Sequence, residues 1–152
     1  MNWLQNNKEV TEDIIPDEAV GFIYVITHIP TGKYYIGKKS LESVRNVKIG
    51  KRELLKLKEE RKAAGIGGRP PIKKKVRKAS DWEKYYSSND WINEQVKEGK
   101  ESEFKREIIQ FCNSKKGLSY YEMYWMFKYD VLSDENALNG NILGKFFPKD
   151  LV

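Results

Sequence analysis

Cysteine and histidine are almost missing from this chain of 152 residues, which holds one of each, Cys112 and His28. A lone cysteine excludes an internal disulfide, and no grouping of Cys and His has the spacing of a zinc site. The scarcity points to a reducing, intracellular setting, with Cys112 a small buried hydrophobe. His28 lies two residues before Pro30 and reads as an exposed turn residue. No apolar run approaches the roughly 18 residues of a membrane span, and Met1-Asn2-Trp3-Leu4-Gln5 lacks the basic-then-apolar form of a secretion signal. A cytoplasmic protein without a membrane partner is expected. No internal repeat is present, which argues against a solenoid, and the length suits one core rather than two.

Positive charge and aromatic rings are what the chain has in quantity. Lys and Arg number 28 against 22 Asp and Glu, a net charge of +6, so a polyanion is the expected class of partner. The charge is concentrated. Residues 45–79 carry fourteen basic side chains against three acidic ones (Glu53, Glu59, Glu60), so the remainder of the chain is net acidic. Within this segment Lys51 to Ala64 has helix-forming composition, Gly65-Ile66-Gly67-Gly68-Arg69-Pro70-Pro71 must break a helix, and a basic strand or coil follows. Two readings of the insertion stand side by side. One is a solvated, partly disordered excursion. The other is an arm whose Lys51, Arg52, Arg69, Lys73, Lys74, Lys75, Arg77 and Lys78 track phosphates, with affinity that falls as salt rises.

Residues 21–37 read as a β-hairpin. Phe22 to Ile26 is apolar, aromatic and β-branched, Lys33 to Ile36 carries paired tyrosines, and Pro30-Thr31-Gly32 supplies the turn. Tyr24 and Tyr35 stand on its two arms, and Lys38 and Lys39 follow at once, an arrangement suited to meeting a phosphate. Residues 1–20 form an arm expected to pack through Trp3, Leu4, Ile14 and Ile15. Asp90 to Glu98 reads as a helix ended by Gly99. Glu103 to Cys112 reads as a third strand anchored by Phe104, Ile108 and Phe111, with Arg106 and Glu107 as polar members. Leu118 to Val131 is the main helix, in which Glu122 shares a flank with Trp125, Met126 and Tyr129. Ile142, Leu143, Phe146 and Phe147 are expected to seal the core.

Gly21-Phe22-Ile23-Tyr24 and Tyr35-Ile36-Gly37 strongly resemble the two halves of the signature of the GIY-YIG nuclease family, with the tyrosines eleven positions apart. Phe22 departs from that signature, as it is inserted between the glycine and the Ile-Tyr pair. The resemblance is to small phage-encoded members in which a lysine-rich insertion follows the hairpin, and Ser80-Asp81-Trp82 and Tyr85-Tyr86-Ser87-Ser88 precede the next helix. It implies an α/β fold: a single compact domain over 21–147, with a small three-stranded antiparallel sheet flanked by helices, the basic insertion at about 45–79 and a tail at 148–152. It also implies a DNA endonuclease acting with one divalent metal, Mg²⁺ or Mn²⁺, held by a glutamate on a late helix, here Glu122. An arginine after the second tyrosine corresponds to Arg45, with Lys39 or Lys38 as the alternative cation. An asparagine near the end of the domain corresponds to Asn139, with Asn136 and Asn141 close by. Homing-type relatives add a separate DNA-reading domain, and two expectations stand in its place: the insertion as substitute, or low specificity.

In that chemistry Tyr24 is the candidate general base and Tyr35 orients water or phosphate. A free phenol has a pKa near 10, so the base role requires nearby cations to lower it. Each assignment has a plainer rival. The tyrosines are also ordinary cross-strand partners, Ser119 and Glu122 fit a capping box, and Asn139 before Gly140 fits a turn. A catalytically silent nucleic-acid-binding module that uses the basic insertion is the alternative function.

Overall fold

The computed structural model describes residues 2–152, which divide into two compact units. One runs to Leu41 and resumes at Ser80, and the other is Glu42–Ala79. No helix among the described residues is long and apolar enough to cross a membrane.

The first unit is built on a five-stranded mixed sheet. Its strands are β1 (Leu4–Gln5), β2 (Lys8–Glu9), β3 (Gly21–His28), β4 (Tyr34–Ser40) and β7 (Phe104–Cys112), in the order β2-β1-β7-β3-β4. The expected three antiparallel strands, β7, β3 and β4, form one side of it, ending at β4, and the N-terminal arm adds the short pair β1 and β2 on the other side, with β1 parallel to β7. The second unit holds β5 (Glu42–Lys48), α1 (Lys51–Ala63) and β6 (Lys73–Ala79), with β5 and β6 paired antiparallel as a separate ribbon. Helices α2 (Asp90–Lys97) and α3 (Lys115–Lys128) complete the first unit.

β3 lies between β7 and β4 and is buried on both faces because a core packs on each, which explains why its sequence is a nearly continuous apolar run. Phe22, Tyr24 and Ile26 point into one core with Trp3, Trp82, Tyr86, Ile92, Phe104 and Ile108. Ile23 and Val25 point into the other with Ile36, Cys112, Leu118 and Met126. The hairpin turn is as the sequence predicts, with Gly32 at φ 72° and its N–H donating to the His28 carbonyl at 2.8 Å.

A β-bulge interrupts the β3–β7 ladder between Ile23 and Tyr24, where Gln110 and Ile108 are the partners and Ile109 is the extra residue. It changes the parity of β7. Phe104 and Ile108 share a face with Phe111 for that reason, although strict alternation would separate them.

Several expectations are corrected. Ile14 is exposed, so the arm packs mainly through Trp3, whose indole N–H donates to the Trp82 carbonyl at 2.7 Å, and Val10. At the C-terminal end only Ile142 is buried, while Leu143, Phe146 and Phe147 lie at the surface. His28 is buried: its ring meets the Glu103 carboxylate at 3.0 Å and the Thr31 hydroxyl at 2.7 Å, between Trp91 and Phe104. Helix α3 begins three residues before its expected start because Ser114 caps it, accepting from the Gly117 N–H at 2.9 Å. Ser119 and Glu122 are therefore inside the helix, and the capping-box explanation of Glu122 fails.

Candidate active site

The cross-strand register sets the arrangement. Tyr24 of β3 lies opposite Gly37 of β4, and Ile26 lies opposite Tyr35, so Tyr24, Tyr35, Gly37 and Lys39 share one face. The Tyr24 ring is held among Trp3, Tyr85 and Tyr35 at centroid distances of 5.4, 5.9 and 6.4 Å. Its hydroxyl fills the space over Gly37, where a Cβ would lie 2.6 Å from the phenol carbon Cζ. Glycine is required there because the tyrosine occupies the volume a side chain would need. Tyr35 is half-buried, with its hydroxyl 3.0 Å from Ser88 Oγ. Lys39 stands 4.1 Å from the Tyr85 ring and pairs with Asp81 at 2.6 Å.

Glu122 reaches the same place from the other side of the sheet. Helix α3 packs on the face of Ile23, Val25 and Ile36, so the phenols and the carboxylate belong to opposite faces. They meet at β4, the terminal strand. Outward-facing backbone groups of β4 are held at three residues: Tyr34 by Asn136 and Leu138, Ile36 by Asn139, and the Ser40 carbonyl by the Ser80 hydroxyl. The Lys38 ammonium donates to Ser119 Oγ at 2.9 Å and lies 3.8 Å from Glu122 Oε1, and the Lys38 ammonium and backbone N–H both favour the charged carboxylate. Gly37 thus has the Tyr24 hydroxyl over one face, and the Glu122 carboxylate lies beside Lys38.

Asn139 is no turn residue. Its Oδ1 accepts from the Ile36 N–H at 3.0 Å and its Nδ2 donates to the Ile36 carbonyl at 2.9 Å, so a side-chain amide replaces a neighbouring strand. It holds the strand that bears Tyr35, Gly37 and Lys38. Asn136 and Asn141 bond locally at exposed positions.

The electrostatics of the chain's own groups run against one expectation. Burial raises the Tyr24 pKa far above that of a free phenol, and the neighbouring Tyr85, Tyr35 and Glu122 push it the same way. That direction is opposite to the lowered pKa that a general base needs. Tyr35 is raised as well, by burial first and by Glu122, against the opposing hydrogen bond from Ser88. Burial also raises Glu122, while the Lys38 ammonium and N–H pull it back. The carboxylate keeps 21% of its side chain exposed, which leaves it an approach from solvent. Among the described residues no three of His, Cys, Asp and Glu gather to hold a metal.

Sequence reasoning missed Tyr85, Ser88 and Arg106. Arg106 is not a surface member of β7. It is buried between the Trp3 and Tyr86 rings and donates to the carbonyls of Glu83 and Tyr85 at 3.0 and 2.8 Å, so it fixes the segment that lays Tyr85 against Tyr24. The pair Tyr85 and Ser88, in the Tyr-Tyr-Ser-Ser run, was the available signal. The remaining predicted residues lie in the second unit: Arg45 on β5, Lys51 and Arg52 on α1, Arg69 in the joint, and Lys73, Lys74, Lys75, Arg77 and Lys78 on β6, with Arg45 and all the β6 cations exposed.

Residues 3–143 match the family model described as putative endonuclease segE, GIY-YIG domain. The chain belongs to the GIY-YIG family. Nuclease activity is the general property of that family, which places a nucleic acid as the class of substrate. Compared with curated proteins and with solved structures, the chain has no match. Trp3 lies at the first matched position and Leu143 at the last, so the GIY-YIG match takes in both tyrosines, Glu122 and Asn139.

Proposed function

We propose that this GIY-YIG protein is a divalent-metal-dependent DNA endonuclease whose active site is the outer edge of β4. The observation that carries the reading is the Tyr24 phenol over Gly37 on one face and the Glu122 carboxylate beside Lys38 from the other, with Tyr35 in electrostatic reach of Glu122. A lone carboxylate suits a hard cation that takes its other ligands from water and phosphate oxygens, so Glu122 would hold Mg²⁺ or Mn²⁺. When bound, the cation supplies Lewis acidity and lowers the pKa of water.

The chain's own groups do the rest. Tyr24, protonated and rigid, positions the attacking water or a non-bridging phosphate oxygen by donating its hydroxyl proton, in place of the base role expected from sequence. Tyr35, steadied by Ser88, orients the phosphate beside it. Lys38 is the counter-ion of Glu122 in the free protein and turns to a phosphate oxygen when substrate arrives. Lys39 keeps a cation on the phenol face, and the exposed cations of 42–79 supply duplex affinity.

Incubation with supercoiled plasmid and Mg²⁺ is expected to yield nicked or linear DNA, with no product in EDTA. Glu122→Ala should retain salt-dependent DNA binding and lose cleavage. Full cleavage by that variant overturns the site, equal cleavage in EDTA overturns the metal, and binding without cleavage of any substrate leaves the silent module.

A further inference from the structure

The two strands of the second unit have unlike faces. Their register places Val44 opposite Arg77, Asn46 opposite Lys75, and Lys48 opposite Lys73 on one face. The other face carries Ser43 with Lys78, Arg45 with Val76, and Val47 with Lys74. On that second face Val47 and Val76 are half-buried, and Lys74 is tied to Glu53 of α1 at 2.7 Å. On the first face Asn46, Lys48, Lys73, Lys75 and Arg77 are all exposed, and none of the four cations has a carboxylate partner among the described residues. Its one acid, Glu42, lies at the end of the ribbon nearest Leu41. Lys48 and Lys73 stand directly across from each other, a like-charge pair that weakens the ribbon until an anion lies between them.

We propose that this face enters the major groove of duplex DNA, with Asn46 and Arg77 reading base edges and Lys48, Lys73 and Lys75 meeting phosphates. The inference rests on DNA being the substrate and adds a reading element to it. A two-stranded ribbon fits the major groove, about 12 Å wide. Same-face residues recur about every 6.8 Å along an antiparallel strand. That equals about two base-pair rises of 3.4 Å, so the side chains stay in phase with the duplex. An amide matches adenine N6 and N7, and a guanidinium matches guanine O6 and N7, whereas the lysines offer point charges.

The full-length protein in EDTA, so that no strand is cut, can be bound to a pool of random duplexes. The expected result is a sequence preference that Asn46→Ala and Arg77→Ala each relax by about 5- to 150-fold at one position. Lys73→Ala should weaken all sequences alike and lower the salt slope by about 0.9. Dimethyl sulfate should find guanine N7 protected by the wild type and exposed with Arg77→Ala. A preference that survives the Asn46→Ala, Arg77→Ala double variant, protection confined to adenine N3, or binding without preference overturns the proposal while leaving the nuclease reading intact. Absence of any duplex binding overturns both. Circular dichroism of the variants should match the wild type, since both positions are exposed, and a lost fold would be met by the milder Asn46→Ser and Arg77→Gln.

Discussion

Replacing Asn139 by alanine tests whether a side chain can stand in for a strand. The substitution deletes the two hydrogen bonds to Ile36, at 3.0 and 2.9 Å, and leaves the N–H and carbonyl of a residue with no exposure and no replacement partner. Each of the two buried orphans costs about 1–3 kcal/mol, giving a loss of about 2–6 kcal/mol. For a chain of this length that lowers Tm by about 4–24 °C. Tryptophan fluorescence is the suitable probe, because Trp3, Trp82, Trp91 and Trp125 all belong to the first unit. Asn139→Asp sharpens the test: it keeps the acceptor for the Ile36 N–H but turns a carboxylate oxygen towards the Ile36 carbonyl. Its pKa is then raised in the folded state, so the stability gap to wild type should narrow as pH falls and the carboxyl regains a proton to donate. Cleavage should fall in both variants although Tyr24, Tyr35 and Glu122 remain. A Tm loss under about 2 °C for Asn139→Ala would refute the strand-replacement argument.

Three further outcomes follow from the geometry. Gly37→Ala forces the Tyr24 hydroxyl out of its place and should cost about 1–3 kcal/mol together with most of the cleavage activity; wild-type activity in that variant would contradict the packing. Because burial raises Glu122 above its unfolded pKa, its contribution to stability is fully present at acid pH and is lost as pH rises through the folded value. Glu122→Gln should accordingly match wild type near pH 4 and exceed it at pH 8, with Mg²⁺ raising the Tm of wild type alone; a gap independent of pH would oppose this. Replacing residues 42–79 by a short glycine-containing turn should leave the first unit folded, since the Ser80 N–H already donates to the Leu41 carbonyl at 2.9 Å; loss of the cooperative fluorescence transition would count against it.

The hairpin, β7 and α2 were legible because local chemistry and final structure agree: apolar strands around a proline-glycine turn, and Asn89 capping α2 by accepting from the Ile92 N–H at 3.1 Å. What was not legible depends on distant partners. β1 and β2 are two residues each and exist through pairing, and Glu42–Lys48 has little apolar content to mark it as a strand until β6 supplies its ladder. His28 and Arg106 look like surface residues in sequence, yet Glu103, 75 residues away from His28, and the carbonyls of Glu83 and Tyr85 let them be buried. The tyrosines and Glu122 were named from sequence as a group. Their approach from opposite faces was not readable, because it depends on β4 being the terminal strand of the sheet.

A terminal strand is ordinarily a template on which a second chain can add. β2, at the far side of this sheet, is too short to serve, and β4 is occupied at Tyr34, Ile36 and Ser40 by Asn136, Leu138, Asn139 and Ser80, with Glu122 beside Lys38. Glu122 and Asn139 therefore guard the monomer against intermolecular strand pairing as well as shaping the site. Changing both should produce aggregation on standing, visible as light scattering, before it produces an unfolded chain.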